Sequence, residues 1–188
     1  MKKFFILFIL AVLYCSCCTS SPLPGNFHKV NPFLYRSGQP DTAQIEYISA
    51  HNGIKSILNL REYHSDKDEM EKVNLKNNNS IKLYEIPLAA GSINEQDLYK
   101  ILTTIRDAPK PLLIHCRHGS DRTGCAVAAS RIVFENWKVE DAVAELMLPK
   151  YGHHKFFYPN ISALLRQTNW QKLKKTILTG ENKKKQKQ

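Results

Sequence analysis

The residues with the clearest chemical potential lie in PLLIHCRHGSDRTG, residues 111–124. Cys116 closes an apolar run, and Arg122 follows six residues later. Between them stand Arg117, His118, Gly119, Ser120 and Asp121. A cysteine attacks as its thiolate, and a positive microenvironment lowers a thiol pKa to about 3.5–7.5. A guanidinium offers two parallel donors that match two phosphate oxygens better than a lysine does. Together these residue types make a nucleophile beside an oxyanion grip, which is chemistry aimed at phosphorus.

Such a site needs elements to hold it. PLLIHC is a continuous apolar strand, the kind buried on both faces of a parallel sheet. FLYRSGQP is a short strand ending in a turn, after which Asp41 caps a helix that runs to His51 and is stopped by Gly53. IKSILNL and IKLYEIPL are further strands, separated by the charged, exposed helix DKDEMEKVNLKNNN. Ser92 and Glu95 fit a capping box opening a helix with Leu98, Ile101, Leu102 and Ile105 on one face. Helices are expected over 123–136, 139–148 and 159–178. This alternation predicts an α/β fold: a single layered domain with a mostly parallel central sheet flanked by helices. Ligands of such sheets bind beyond the carboxyl ends of the strands, where Cys116 falls. Loop 117–122 then turns its N–H groups inward, and the helix from Thr123 adds its positive dipole end, forming an anion cradle.

At 188 residues the chain holds one ordinary domain. Its net charge of +10 is concentrated at the ends: Lys2 and Lys3, then seven lysines against Glu181 in residues 171–188, leave +2 for the other 168 residues. A basic nucleic-acid-binding face is therefore not expected. MKKFFILFILAVLYCSCC has a basic start and an apolar run from Phe4 to Tyr14, about half a bilayer span. It reads as an export signal. With Cys15, Cys17 and Cys18 at its end it resembles a bacterial lipoprotein leader, and Cys17 (or Cys18) is the expected lipidated residue. The expected organisation is a leader over 1–18, a tether over 19–26, the domain over 27–178 and a disordered Lys-rich tail over 179–188. The protein is thus expected in a bacterial cell envelope, anchored to a membrane by lipid. Past the leader only Cys116 and Cys125 remain, so no disulfide framework is expected.

HCRHGSDRTG resembles the active-site loop of the cysteine-dependent tyrosine and dual-specificity phosphatases, which read Cys, five residues, Arg, with glycine third after the cysteine. FLYRSGQP, ILNLR and IPL are similar to the atypical dual-specificity branch of bacteria, plants and fungi, and the resemblance spans roughly residues 26–170. It implies that Cys116 forms a phosphocysteine, that Arg122 grips the phosphoryl oxygens, and that Thr123 stabilises the departing thiolate. It also implies phosphate contacts from Arg117, His118, Gly119, Ser120 and Asp121, with no cofactor and no metal. His115 either orients the loop and tunes the thiol or is a satisfied core histidine. Substrates implied are phosphotyrosine proteins, phosphoinositides or inositol phosphates. A catalytically weak phosphate-binding or scaffold protein is the alternative.

Other readings of the loop fail. Cys125 and Ala126 stand where a nucleotide loop needs Lys-Ser/Thr. His115, Cys116, His118 and Cys125 lack a zinc framework spacing. A rhodanese-type loop has no need of Arg122-Thr123. The departure from the phosphatase pattern is the general acid: Ala89, Ala90 and Gly91 occupy the loop where an aspartate is usual. Asp121 is the expected substitute, as in the similar myotubularin-type loops, with its pKa raised by bound phosphate; Asp97 follows it. If no acid exists, only good leaving groups turn over. Arg36 and Arg61 are expected at the pocket rim or in surface salt bridges with carboxylates in 62–71, and His153 or His154 near the pocket mouth or in a packed loop.

Overall fold

The computed structural model describes residues 21–77 and 80–180. Its sheet has five strands: β1 (His28–Asn31), β2 (Leu34–Ser37), β3 (Ser56–Arg61), β4 (Lys82–Leu88) and β5 (Leu112–His115). Their spatial order is β1-β2-β5-β3-β4, and every pairing except β1 with β2 is parallel. The α/β class with a mostly parallel sheet is as expected. β5 therefore lies between β2 and β3, buried along its whole length. Successive strand side chains face opposite ways: Leu112 and Ile114 enter one core cluster and Leu113 the other. That two-sided burial is why β5 reads as an unbroken apolar run. Pro87 sits in β4, an edge strand, where a missing N–H is tolerated.

The helices are α1 (Thr42–Asn52), α2 (Lys67–Asn77), α3 (Glu95–Asp107), α4 (Asp121–Phe134), α5 (Val139–Leu146), α6 (Pro159–Gln167) and α7 (Trp170–Thr179), with a 3-10 turn at Pro149–Tyr151. α1 and α2 cover one face, packing Ile45, Ile48, Met70 and Val73 onto Ile57 and Leu113. On the other face α4 is buried almost throughout, between the sheet and α3, α5 and α6. α1 begins and ends as expected, with Asp41 and Gln44 forming a capping box and Gly53 in the left-handed region at φ +66°.

Several boundaries differ. The cap of α3 is Asn94, whose side chain accepts from the Gln96 and Asp97 N–H groups while Asp97 returns a bond to Asn94 N–H. Ser92 instead gives its N–H to Ala89 O in a turn, which delays the helix, and Glu95 accepts from Asn169 N–H. The expected helix over 159–178 breaks at Thr168, which is extended, and Asn169 caps α7. β1 was not expected; it extends the sheet by an antiparallel edge. The fold also starts before residue 27: Leu23 packs on the core and Gly25 O accepts from Gly38 N–H. Helix α7 takes in Thr179, the first residue of the expected tail. The leader with Cys17 and Cys18, and residues 181–188, lie outside the described residues. Among the described residues no helix is long and apolar enough to cross a membrane.

Candidate active site

Cys116 follows β5 directly, is 2% exposed, and begins a loop that α4 closes at Asp121. A fourteen-residue helix thus presents its N-terminus to the loop, with the partial positive charge that such an end carries. The loop's shape depends on Gly119, which sits at φ +73° against the backbone of Ser37 and Gly38. Beneath it lies Arg36, 1% exposed, whose Nη2 donates to Gly119 O at 2.7 Å and whose guanidinium covers the Tyr151 ring at 3.9 Å. Arg36 is therefore a strut under the loop, neither at the rim nor in a surface ion pair. Gly119 O and the Tyr151 ring hold its guanidinium, while its Nε is buried without a hydrogen-bond partner among the described residues. Asn26 Nδ2 donates to His118 O and Tyr151 O, both at 3.0 Å, and Gln39 N–H donates to Arg117 O. The loop is held from below on three sides.

Arg122 donates from Nη1 to Leu88 O at 3.1 Å. Its Nε and the Thr123 hydroxyl are buried donors without a hydrogen-bond partner among the described residues. Arg122 also lines a cavity of about 390 Å³. Its wall carries the guanidiniums of Arg61, Arg117 and Arg122. Arg61 is held below its usual range, first by burial and then by the charges of Arg117 and Arg122. Three crowded cations favour a multiply charged anion between them. Arg61 is thus at the rim, and it also donates to Gln39 Oε1 at 3.1 Å. His118 is exposed, while Ser120 is buried with its hydroxyl 3.5 Å from His118 O.

Ala89–Gly91 line the side of the cavity where an acid is usual, and bring no carboxylate. Glu62 is the carboxylate on the wall, paired with the Tyr63 hydroxyl, whose pKa it raises. Sequence reasoning counted Glu62 only among the charges of 62–71; its place just past the end of β3 was the available signal.

Asp121 departs from expectation. Its Oδ1 accepts from His153 Nδ1 and the His154 N–H, and its Oδ2 from His154 Nδ1, each at 2.8 Å. Burial pushes this carboxyl up, but these three bonds outweigh it and hold the pKa at about 2. In the free chain both oxygens accept from these donors, which work against the upward shift expected beside bound phosphate. His153 and His154 are correspondingly engaged in clamping Asp121. Asp97, committed to its cap and 3.7 Å from Lys100 Nζ, is likewise occupied.

His115 is wholly buried with its Nε2 2.6 Å from Asp66 Oδ2, a partner that sequence reasoning missed. Cys125 lies in the core between α4 and its neighbours, apart from the cluster holding Cys116, and burial pushes its thiol up to about 12. Among the described residues His64, Asp66 and Glu69 bring possible ligand atoms within 4.8 Å of one another. Asp66 already accepts from His115 and Gln39 there, while His64 Nε2 and Glu69 Oε2 are buried without a hydrogen-bond partner among the described residues.

A cysteine at the end of the central strand, a loop wrapped toward a helix N-terminus and an arginine at its close define an α/β phosphatase domain. The chain belongs to the tyrosine phosphatase family, whose model matches residues 23–157. It is 23% identical over 158 residues to the dual specificity protein phosphatase TpbA of Pseudomonas aeruginosa, covering 83% of this chain and 68% of that protein. It is 30% identical over 152 residues to the inositol diphosphatase SIW14 of Saccharomyces cerevisiae, covering 77% of this chain and half of that protein's length. In fold it is similar to the crystal structure of P. aeruginosa TpbA (TM-score 0.70, 22% identity, 81% of this chain and 91% of that one). The catalytic core of SIW14 is similar too (TM-score 0.68, 24% identity, 85% and 94%).

Proposed function

We propose that this chain hydrolyses phosphate esters and anhydrides through a phosphocysteine on Cys116. The observation that carries the reading is the pair of buried, unpartnered donors, Arg122 Nε and Thr123 Oγ1, beside a thiol at a helix N-terminus. The Cys116 thiolate attacks phosphorus, an S–P bond forms, and the bond to the leaving oxygen breaks. Water then attacks phosphorus, the S–P bond breaks, and inorganic phosphate leaves with the thiolate restored. Arg122 and the loop N–H groups stabilise the equatorial oxygens, and the Thr123 hydroxyl donates to the departing sulfur.

The leaving group is where this chain selects. With Asp121 held at about 2 and clamped by two histidines, its carboxyl is not a neutral acid beside the loop. Leaving groups that need no proton, an aryl oxide or the phosphate of a phosphoanhydride, suit the site. The three guanidiniums around the cavity favour a densely phosphorylated molecule over a lone phosphotyrosine. We therefore favour inositol diphosphates, on which relatives such as SIW14 are named to act, with aryl phosphates as surrogates. A panel of inositol diphosphates, phosphotyrosine peptides and alkyl phosphates tests this. Turnover should be fastest on the first and absent in Cys116→Ser, which should still bind vanadate. Vanadate binding without turnover of any of them would make the chain a phosphate-binding protein.

We also infer, from the leader alone, export and lipid attachment at Cys17 (or Cys18). The full chain should sediment with membranes, and replacement of the leader cysteines should release it.

A further inference from the structure

Asp66, in the loop between β3 and α2, is a carboxylate with no solvent exposure. Removing a lone charge from water costs several kcal/mol, so such a group persists only when its partners satisfy it. Its Oδ2 lies 2.6 Å from His115 Nε2, itself fully buried. Its Oδ1 accepts from Gln39 Nε2 at 2.8 Å, and His64 Nε2 lies 3.3 Å from the same oxygen. Burial pushes the carboxyl up, but the bond from His115, its charge and the bond from Gln39 outweigh it and hold the pKa below its ordinary value. An ionised carboxylate only accepts, so chemistry assigns the Nε2 hydrogen to His115.

The bond to Asp66 anchors the ring at Nε2, and Nδ1 lies 3.4 Å from the Cys116 carbonyl oxygen. His115 is the last residue of β5, in register with Ser37 on one side and Asn59 on the other. Asn59 in turn donates to His64 O at 2.8 Å, closing the loop that carries Asp66. The Asp66 N–H donates to Glu85 of β4 at 3.3 Å. The end of β5 and the segment after β2 thus meet the Asp66 loop at one carboxylate, and His115 there is the residue before Cys116 in the chain. Asp66 is not on the cavity wall.

We propose that Asp66 is a positioning residue for Cys116: by holding the His115 ring it sets the turn at which the chain leaves β5 and the thiol is aimed. This rests on the phosphatase reading only in its kinetic readout. An orientation device of this kind acts on kcat, because the phosphate is gripped by Arg122 and loop N–H groups that Asp66 does not touch.

The test uses the full chain with p-nitrophenyl phosphate, alkylation of Cys116 by iodoacetamide, and thermal denaturation as a check on folding. Asp66→Ala should lower kcat by about tenfold or more with KM nearly unchanged, the signature of misplaced reacting groups. Asp66→Asn, which keeps an acceptor oxygen for Nε2–H, should recover most of that loss. His115→Ala should match Asp66→Ala, and the double variant should fall no further, as for two residues acting as one unit. Alkylation of Cys116 should slow in the same order. If Asp66→Ala does not fold, Gln39→Ala removes one bond to the carboxylate and should show the same split at smaller size. Unchanged kcat in folded variants, a loss carried by KM, or additive losses in the double variant would overturn the proposal. A wild type inactive on every phosphate would refute the phosphatase reading alone, since the alkylation order still decides the role of Asp66.

Discussion

Replacing Gly119 by alanine puts one methyl group where the loop has no room. A Cβ there would lie 2.5 Å from Ser37 C, 2.6 Å from Gly38 N and 2.7 Å from Ser37 O. Ordinary contact begins at 3.4 Å, and the obstacles are backbone, so loop and β2 must part by about 0.9 Å. The left-handed φ of +73° adds a local cost of about 1–2 kcal/mol for a residue with a Cβ. A shift of about 1 Å in reacting groups is worth roughly 10²-fold in rate. Gly119→Ala should therefore cut kcat/KM for p-nitrophenyl phosphate by about 10²-fold and lower Tm by about 2–8 °C. Gly53→Ala is the control: φ is +66° with nothing within 4 Å, and the site is far along the chain in the α1 cap. It should lose only the φ cost of stability, less than Gly119→Ala, and keep full activity. A Gly119→Ala protein with activity within about threefold of wild type would refute the packing argument, because a displacement of about 1 Å is expected to cost about 10²-fold.

The depressed pKa of Asp121, about 2 against 3.8, means its clamp contributes stability above pH 4 that is lost as pH falls toward 2. The contribution is about 2 kcal/mol, so urea denaturation should show Asp121→Asn less stable than wild type at pH 6, with the gap closing near pH 2. The same variant should leave the ratio of alkyl to aryl phosphate rates unchanged; a collapse confined to alkyl phosphates would restore Asp121 as the acid. Arg61→Ala should raise KM for an inositol diphosphate by about tenfold, the worth of one charge-assisted bond, while KM for p-nitrophenyl phosphate stays nearly constant. Equal increases for both would place Arg61 in the core phosphate grip.

The sequence alone carried the fold class and the proposed nucleophile, for a physical reason in each case. Strand and helix periods are local, so the run through β5 and the capped α1 were legible residue by residue. The phosphate loop is legible because its parts are contiguous: one strand end, five loop residues and one helix start. What the sequence left undecided depends on side chains that meet across long separations. Arg36 reads as a surface charge until β2 is placed against β5, which brings it 83 residues along the chain to Gly119 O. Asp121 reads as an acid until residues 153–154 fold back onto it and supply three donors. Asp66 reads as one charge among many in a polar stretch, 49 residues from His115. Burial is the deciding quantity in all three, because a charge removed from water takes its role from its nearest partners. Partners assembled by topology are invisible to periodicity, so the tertiary structure alone assigned the strut, the clamp and the carboxylate behind the nucleophile.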